Sequence, residues 1–253
     1  MSTPQQTAPL PAPPAPAGPG VLAWRIAGGL VAAGLVLFAA LSAVADFTEH
    51  RSDVETTYAQ PVSRIVVDAS TGSVELAAGA PGSPVVVTRT SRWTLGSAAG
   101  GRDGVADGVL TLHGTCTGMW LCTVAYRVAV PPGTPVTVTT STGSITAGGL
   151  DGDLDVTTST GSVDLTGLRS SHVAAEASTG SIELSFAAAP QDVRAQTSTG
   201  SVEVVVPPDG TAYAVHASTS IGGSEVTVPV DSSSARRIQA RASTGSVEVR
   251  PAP

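Results

Sequence analysis

The chain of 253 residues contains no lysine and no asparagine, so all 13 of its basic side chains are arginine. Against them stand 20 Asp and Glu, for a net charge of −7. An acidic chain without a basic cluster lacks the positive surface that a phosphate backbone requires, which argues against nucleic acid as a partner. Without asparagine there is no acceptor for Asn-linked glycosylation. Aromatic residues are 4% and charged residues 13% of the chain, so any core is built from many small and β-branched side chains. Cysteine is limited to Cys116 and Cys122, in "CTGMWLC", and only His113 lies near them at metal-ligand spacing. In an exported domain the default for such a pair is a disulfide, ahead of a reduced pair or a metal site.

One apolar stretch is free of charge. Ile26 to Ala45 is twenty residues long, bounded by Arg25 and Asp46. At ~1.5 Å per helical residue it reaches about 30 Å, one hydrocarbon thickness. The expectation is a retained transmembrane helix, residues 26–45, because the run exceeds the ~7 to 15 residue core of a signal peptide. The alternative is secretion after cleavage following Ala45, since Ala43-Val44-Ala45 fits a small-residue cleavage site. Arg25 and Arg51 flank the run on opposite sides and leave the orientation open. A disulfide would place the C-terminal part outside the cytoplasm. Residues 1–25 then form a disordered cytoplasmic tail, with seven prolines in the first twenty positions and no charge there.

What is abundant is a single string. STGS occurs six times, with its glycine at Gly72, Gly143, Gly161, Gly180, Gly200 and Gly245, and the steps from Gly143 to Gly200 are 18, 19 and 20 residues. A fixed period near nineteen means stacked units. Seven, five and three residues before Gly161 lie Leu154, Val156 and Thr158, and two and four after it lie Val163 and Leu165. Both flanks alternate with period two, and the other units repeat the pattern, so each unit is two short strands joined by a polar corner. Glycine supplies the positive φ of a sharp bend, and the Ser and Thr hydroxyls bond backbone groups that the bend exposes. The motif is therefore architecture.

Two folds satisfy this pattern. The expected one is all-β, a parallel β-solenoid of about 19-residue two-strand coils; the alternative is an antiparallel β-meander with Thr-Gly as its hairpin turn. The solenoid domain is expected over 60–253, after a linker at 46–59. A hairpin insertion around 81–132 holds the two cysteines, with its strands between Gly108 and Val130 bridged near the tip. A further unit, "AYAVHASTSIGGSEVTV", reads as a bulged coil.

The span, then "VSRIVVDASTGSVEL", the cysteine pair before "YRVAVPPGTPVTVTTSTGSITAGGL", and the run of coils resemble a family of candidate bacterial adhesins with β-strand repeats, a domain of unknown function. The resemblance covers about residues 60 to 250. It implies a surface-exposed solenoid with no assigned catalytic residue, and it carries over no site.

Chemistry is sparse elsewhere. Three residues after the corner glycine lie Glu75, Thr146, Asp164, Glu183, Glu203 and Glu248, an outward row whose stacked carboxylates repel. It reads as a solvated face and not as a cation site. Asp151, Asp153 and Asp155 alternate, but Val156 and Ser162 stand where a helix-loop-helix calcium loop needs Gly and Glu. His50, His113, His172 and His216 are scattered, with no nucleophile at a recognisable spacing. The reading is a non-enzymatic module without a cofactor, held at the cell membrane, whose partner is a surface ligand or an envelope protein. The alternative is a sensory or structural envelope component that signals through a membrane partner.

Overall fold

The computed structural model describes residues 32, 34–36, 38, 50–94, 97–117 and 121–253. The proline-rich tail and nearly all of the 26–45 run lie outside the described residues. Those described within the run are helical, and among the described residues no helix is long and apolar enough to cross a membrane. The chain divides into two units, Met1–Thr48 and Glu49–Pro253, and the second carries the β-structure.

Its strands are β1 (His50–Tyr58), β2 (Arg64–Thr71), β3 (Val74–Ala78), β4 (Val85–Trp93), β5 (Ala98–Ala106), β6 (Val109–Thr117) and β7 (Cys122–Val130). Then come β8 (Val136–Thr142), β9 (Ile145–Gly148), β10 (Leu154–Thr160), β11 (Val163–Leu168), β12 (His172–Thr179) and β13 (Ile182–Phe186). The last are β14 (Asp192–Thr199), β15 (Val202–Val206), β16 (Ala214–Ile221), β17 (Ser224–Val226), β18 (Arg237–Thr244) and β19 (Val247–Pro251). They form a ten-stranded sheet, β1-β4-β7-β3-β9-β11-β13-β15-β19-β17, and a nine-stranded sheet, β16-β18-β14-β12-β10-β8-β2-β6-β5.

The two strands that flank each STGS corner lie in different sheets and pair in parallel with the like strands of neighbouring coils, which is a solenoid. Leu154 of β10 stands beside Val173 of β12 and Val136 of β8, and Val163 of β11 stands beside Ile182 and Ile145. A meander would have joined the two flanks to each other, so that alternative falls. Inward residues of both sheets meet in one core: Leu154, Val156, Val163 and Leu165 are all buried, whereas Asp164 between them is exposed. Alternation of side chains across a strand is the cause.

Coil order in space departs from coil order in the chain at both ends. β2 and β3 lie between β6/β7 and β8/β9, and β18 and β19 lie between β14/β15 and β16/β17. The chain thus lays down its outermost coil before the coil inside it at the C-terminal end, and leaps outward and back at the other.

Three expectations need correction. Gly108 to Val130 is not a hairpin, because β6 and β7 belong to different sheets and pair in parallel with β2 and β3. The segment is itself a coil, with the cysteine loop at its corner. The 46–59 linker contains β1, whose nine residues pair antiparallel with β4. It reads as a linker because its inward positions include Ser52 and Thr56, at an incompletely covered sheet edge. The STSIGGS coil has no bulge: Val215, Ala217 and Thr219 stand beside Ile238, Ala240 and Ala242, with Gly222 as the corner. The frame moves by two residues, which keeps every inward residue inward.

Candidate functional site

The six corner glycines form the first candidate. All have φ between 136° and 151°, and Gly222 makes the same bend at 140°. At Gly161 the requirement is twofold. Its φ of +145° disfavours an L side chain, and a Cβ there would fall on the carbonyl oxygen of Gly143 in the coil before. The corner is tied laterally: Gly161 N–H donates to Thr179 O at 2.9 Å, and Gly143 N–H donates to Thr160 O at 2.8 Å. The buried Thr158 hydroxyl donates to Gly143 O at 3.2 Å, and the Thr197 hydroxyl to Gly180 O at 2.8 Å. The backbone of the corner and its buried threonines are therefore engaged in stacking, and the ladder is a structural seam.

Cys116 and Cys122 are joined in a disulfide, with Cα atoms 5.6 Å apart. It closes the corner of the β6/β7 coil, where the other coils carry their short polar turn.

The outward acidic row is longer than its sequence order implies. Across the ten-stranded sheet it runs Arg127, Glu75, Thr146, Asp164, Glu183, Glu203, Glu248, Glu225. Five carboxylates stand on consecutive strands, at ~4.8 Å spacing. Arginine relieves the row at one end and in its interior. Arg127 bonds Glu75 at 2.6 Å, and Arg250 reaches Glu203 at 2.6 Å and Glu248 at 3.3 Å. Among the described residues no group of His, Cys, Asp and Glu is arranged to hold a metal ion. Arg250 is legible in the sequence, two residues after Glu248 and so on the same outward face.

The nine-stranded sheet presents the other face. Asp153, His172, Asp192 and Arg237 stand in one outward row: His172 Nδ1 lies 3.1 Å from Asp153, and Arg237 lies 3.0 Å from Asp192, with Arg194 at 3.7 Å from the same carboxylate. An open groove of about 470 Å³ runs over these strands, lined by Arg64, Asp153, Asp155, His172, Asp192 and Arg194 among others. One oxygen of Asp192, Oδ1, is buried and has no hydrogen-bond partner among the described residues. Asp151, by contrast, is a turn residue, accepting from Gly133 N–H at 2.7 Å. The four histidines do not converge: His113 pairs with Asp68, His172 with Asp153, His50 lies against Trp93, and His216 sits on the edge strand β16.

Between the sheets at the β1/β4/β5 end lies a polar cluster that sequence reasoning missed. Arg89 bonds Asp103 at 2.6 Å, and the Tyr126 hydroxyl donates to the other oxygen of Asp103 at 3.1 Å. Burial, then the Asp103 charge, pushes the Tyr126 phenol far above its ordinary range; Tyr58 is raised for the same reasons. The signal was available, since Arg89 falls on the inward parity of Val85, Val87 and Ser91.

A two-sheet parallel solenoid with glycine corners and polar outer faces is the class that this geometry defines. The chain belongs to the Toastrack DUF4097 family, whose pattern matches residues 48–250. Among solved structures it is similar to a candidate cell adhesion protein of Clostridium sporogenes, at 10% identity and TM-score 0.47, over 80% of this chain and 100% of that one. It is similar also to a candidate adhesin of Bacteroides fragilis, at 11% identity and TM-score 0.42, over 80% of this chain and 97% of that one. No protein of curated function is matched.

Proposed function

We propose that the protein is an adhesion or interaction module, anchored in the cell membrane by residues 26–45 with its solenoid outside the cytoplasm. One observation carries the reading. Over the groove of the nine-stranded sheet the side chains of Asp153, His172 and Arg194 stand exposed around Asp192, one oxygen of which is buried without a partner among the described residues. The rest of the groove supplies charges of both signs on a rigid parallel sheet, a surface that suits recognition of a polar ligand. Export is supported by the disulfide, which persists in oxidising compartments.

The test uses the unit from residue 49, whose core, from Ile65 to Val249, lies entirely within it. Incubated with washed envelope fragments of the source cells, it should bind saturably and be displaced by unlabelled protein. Arg194→Glu and His172→Ala, both on exposed side chains, should weaken retention severalfold while Asp164→Ser on the opposite sheet leaves it unchanged. Equal retention of all variants would refute the assignment of this groove.

A further inference from the structure

Five strand ends meet at one tip of the folded unit. His50, the first residue of β1, stands opposite Trp93, the last of β4, with ring centres 5.7 Å apart. Trp93 stands opposite Cys122, the first residue of β7, and Cys122 is bridged to Cys116 of β6. Cys116 in turn stands opposite Ala99 of β5. Leu121 projects from this tip with 72% of its surface exposed, the most exposed large apolar residue of the folded unit among the described residues. It is not loosely held. Its carbonyl accepts from Thr94 N–H at 3.0 Å, and the next residue is the bridged Cys122.

Behind the tip, on the outward face, Arg51 and Arg92 stand directly opposite each other. Like charges in that relation destabilise a sheet. Arg51 is paired with Asp53 at 2.9 Å, whereas Arg92 makes no ion pair among the described residues. The fold thus presents a solvent-facing leucine on a tethered backbone beside two adjacent arginines that share the charge of the Asp53 carboxylate.

Chain length supplies the occupant. Residues 46–49 are all that separate the apolar run from His50, and four residues reach at most about 14 Å. Leu121, beside the disulfide and backed by two arginines, fits the apolar-then-cationic profile of a phospholipid interface. We propose that this tip docks on the outer surface of the bilayer, with Leu121 entering the acyl boundary and Arg51 and Arg92 meeting anionic headgroups. The contact gives the solenoid a second hold on the membrane. This rests on the anchor reading of residues 26–45.

The experiment places a photoreactive benzoylphenylalanine at Leu121 in the full-length chain, reconstituted in vesicles containing phosphatidylglycerol. The same probe at Val226, on the last coil, is the control; it too is an exposed position. Illumination should give a lipid adduct at 121 and none at 226. Exchanging Arg51 or Arg92 for Glu should lower the yield at 121 by about fivefold or more each in anionic vesicles, and little in zwitterionic ones. Vesicle-bound protein without an adduct at 121, or with equal adducts at both positions, would overturn the docking alone. Protein that stays in solution would overturn the anchor reading and the docking with it.

Discussion

Arg89 and Asp103 meet at 2.6 Å across the space between the two sheets, one on β4 and the other on β5, with 23% and 15% of their side chains exposed. The bond joins two antiparallel strands that no backbone ladder links to each other, and Tyr126 completes it from β7. Asp103→Ala leaves a mostly buried guanidinium without its partner. Breaking a fully buried pair costs about 3–5 kcal/mol, and the residual exposure here brings the expectation to about 2–3. Urea unfolding of the folded unit should show that loss. The double variant Arg89→Met, Asp103→Leu should recover much of it, because no charge is then left unpaired. A double variant as weak as the sum of the singles would contradict the coupling.

The same cluster makes stability sensitive to alkali. Tyr126 has its folded pKa raised above the unfolded value of about 10, and Tyr58 and Tyr213 are raised too. Above about pH 10 the unfolded chain loses these protons while the folded one keeps them, so folding is disfavoured as pH rises. The stabilisation is complete below that pH and is lost progressively above it. Tyr126→Phe should be less stable at neutral pH, by about 1 kcal/mol for its lost hydrogen bond, yet decline less steeply in alkali. Parallel slopes for the two proteins would show that Tyr126 contributes nothing to the effect.

Gly161, Val163 and Asp164 test the corner itself. Gly161→Val forces a β-branched residue into φ +145° and onto the Gly143 carbonyl, and Val163→Asp puts a carboxylate beside Ile145 and Ile182. Each should cost several kcal/mol. Asp164→Ser faces water between Thr146 and Glu183 and should change stability by less than about 0.5 kcal/mol. Hydrogen exchange on Gly161→Val should show lost protection at Ile145 and Ile182, in the coils on either side. Loss confined to residues 154–168 would contradict stacking.

The sequence made the coil legible because each unit repeats the same inward residues around its glycine. Coil order was not legible, and for the same reason. Neighbouring coils present nearly identical surfaces, Val-Val-Thr or Val-Ala-Ala at equivalent positions, so exchanging two of them leaves every local pattern intact. At the C-terminal end the connections 207–213 and 227–236 carry the difference. At the tip, the cysteine pair was readable from composition and export, but its loop resembled a hairpin because nothing in "CTGMWLC" reveals that its flanks belong to different sheets. The groove around Asp192 is not legible in the sequence, because Asp153, His172 and Asp192 lie 19 or 20 residues apart and meet only through the stacking register.

Attachment of the solenoid to a membrane by the charge-free segment before it is the central proposal. The most direct measurement is fractionation of the producing cells, with the N-terminus of the recovered protein determined. Full-length chain should appear in the membrane fraction, stay there in high salt, and leave it only in detergent. A soluble form that begins at Asp46 would show that the segment is cleaved and would contradict the anchor.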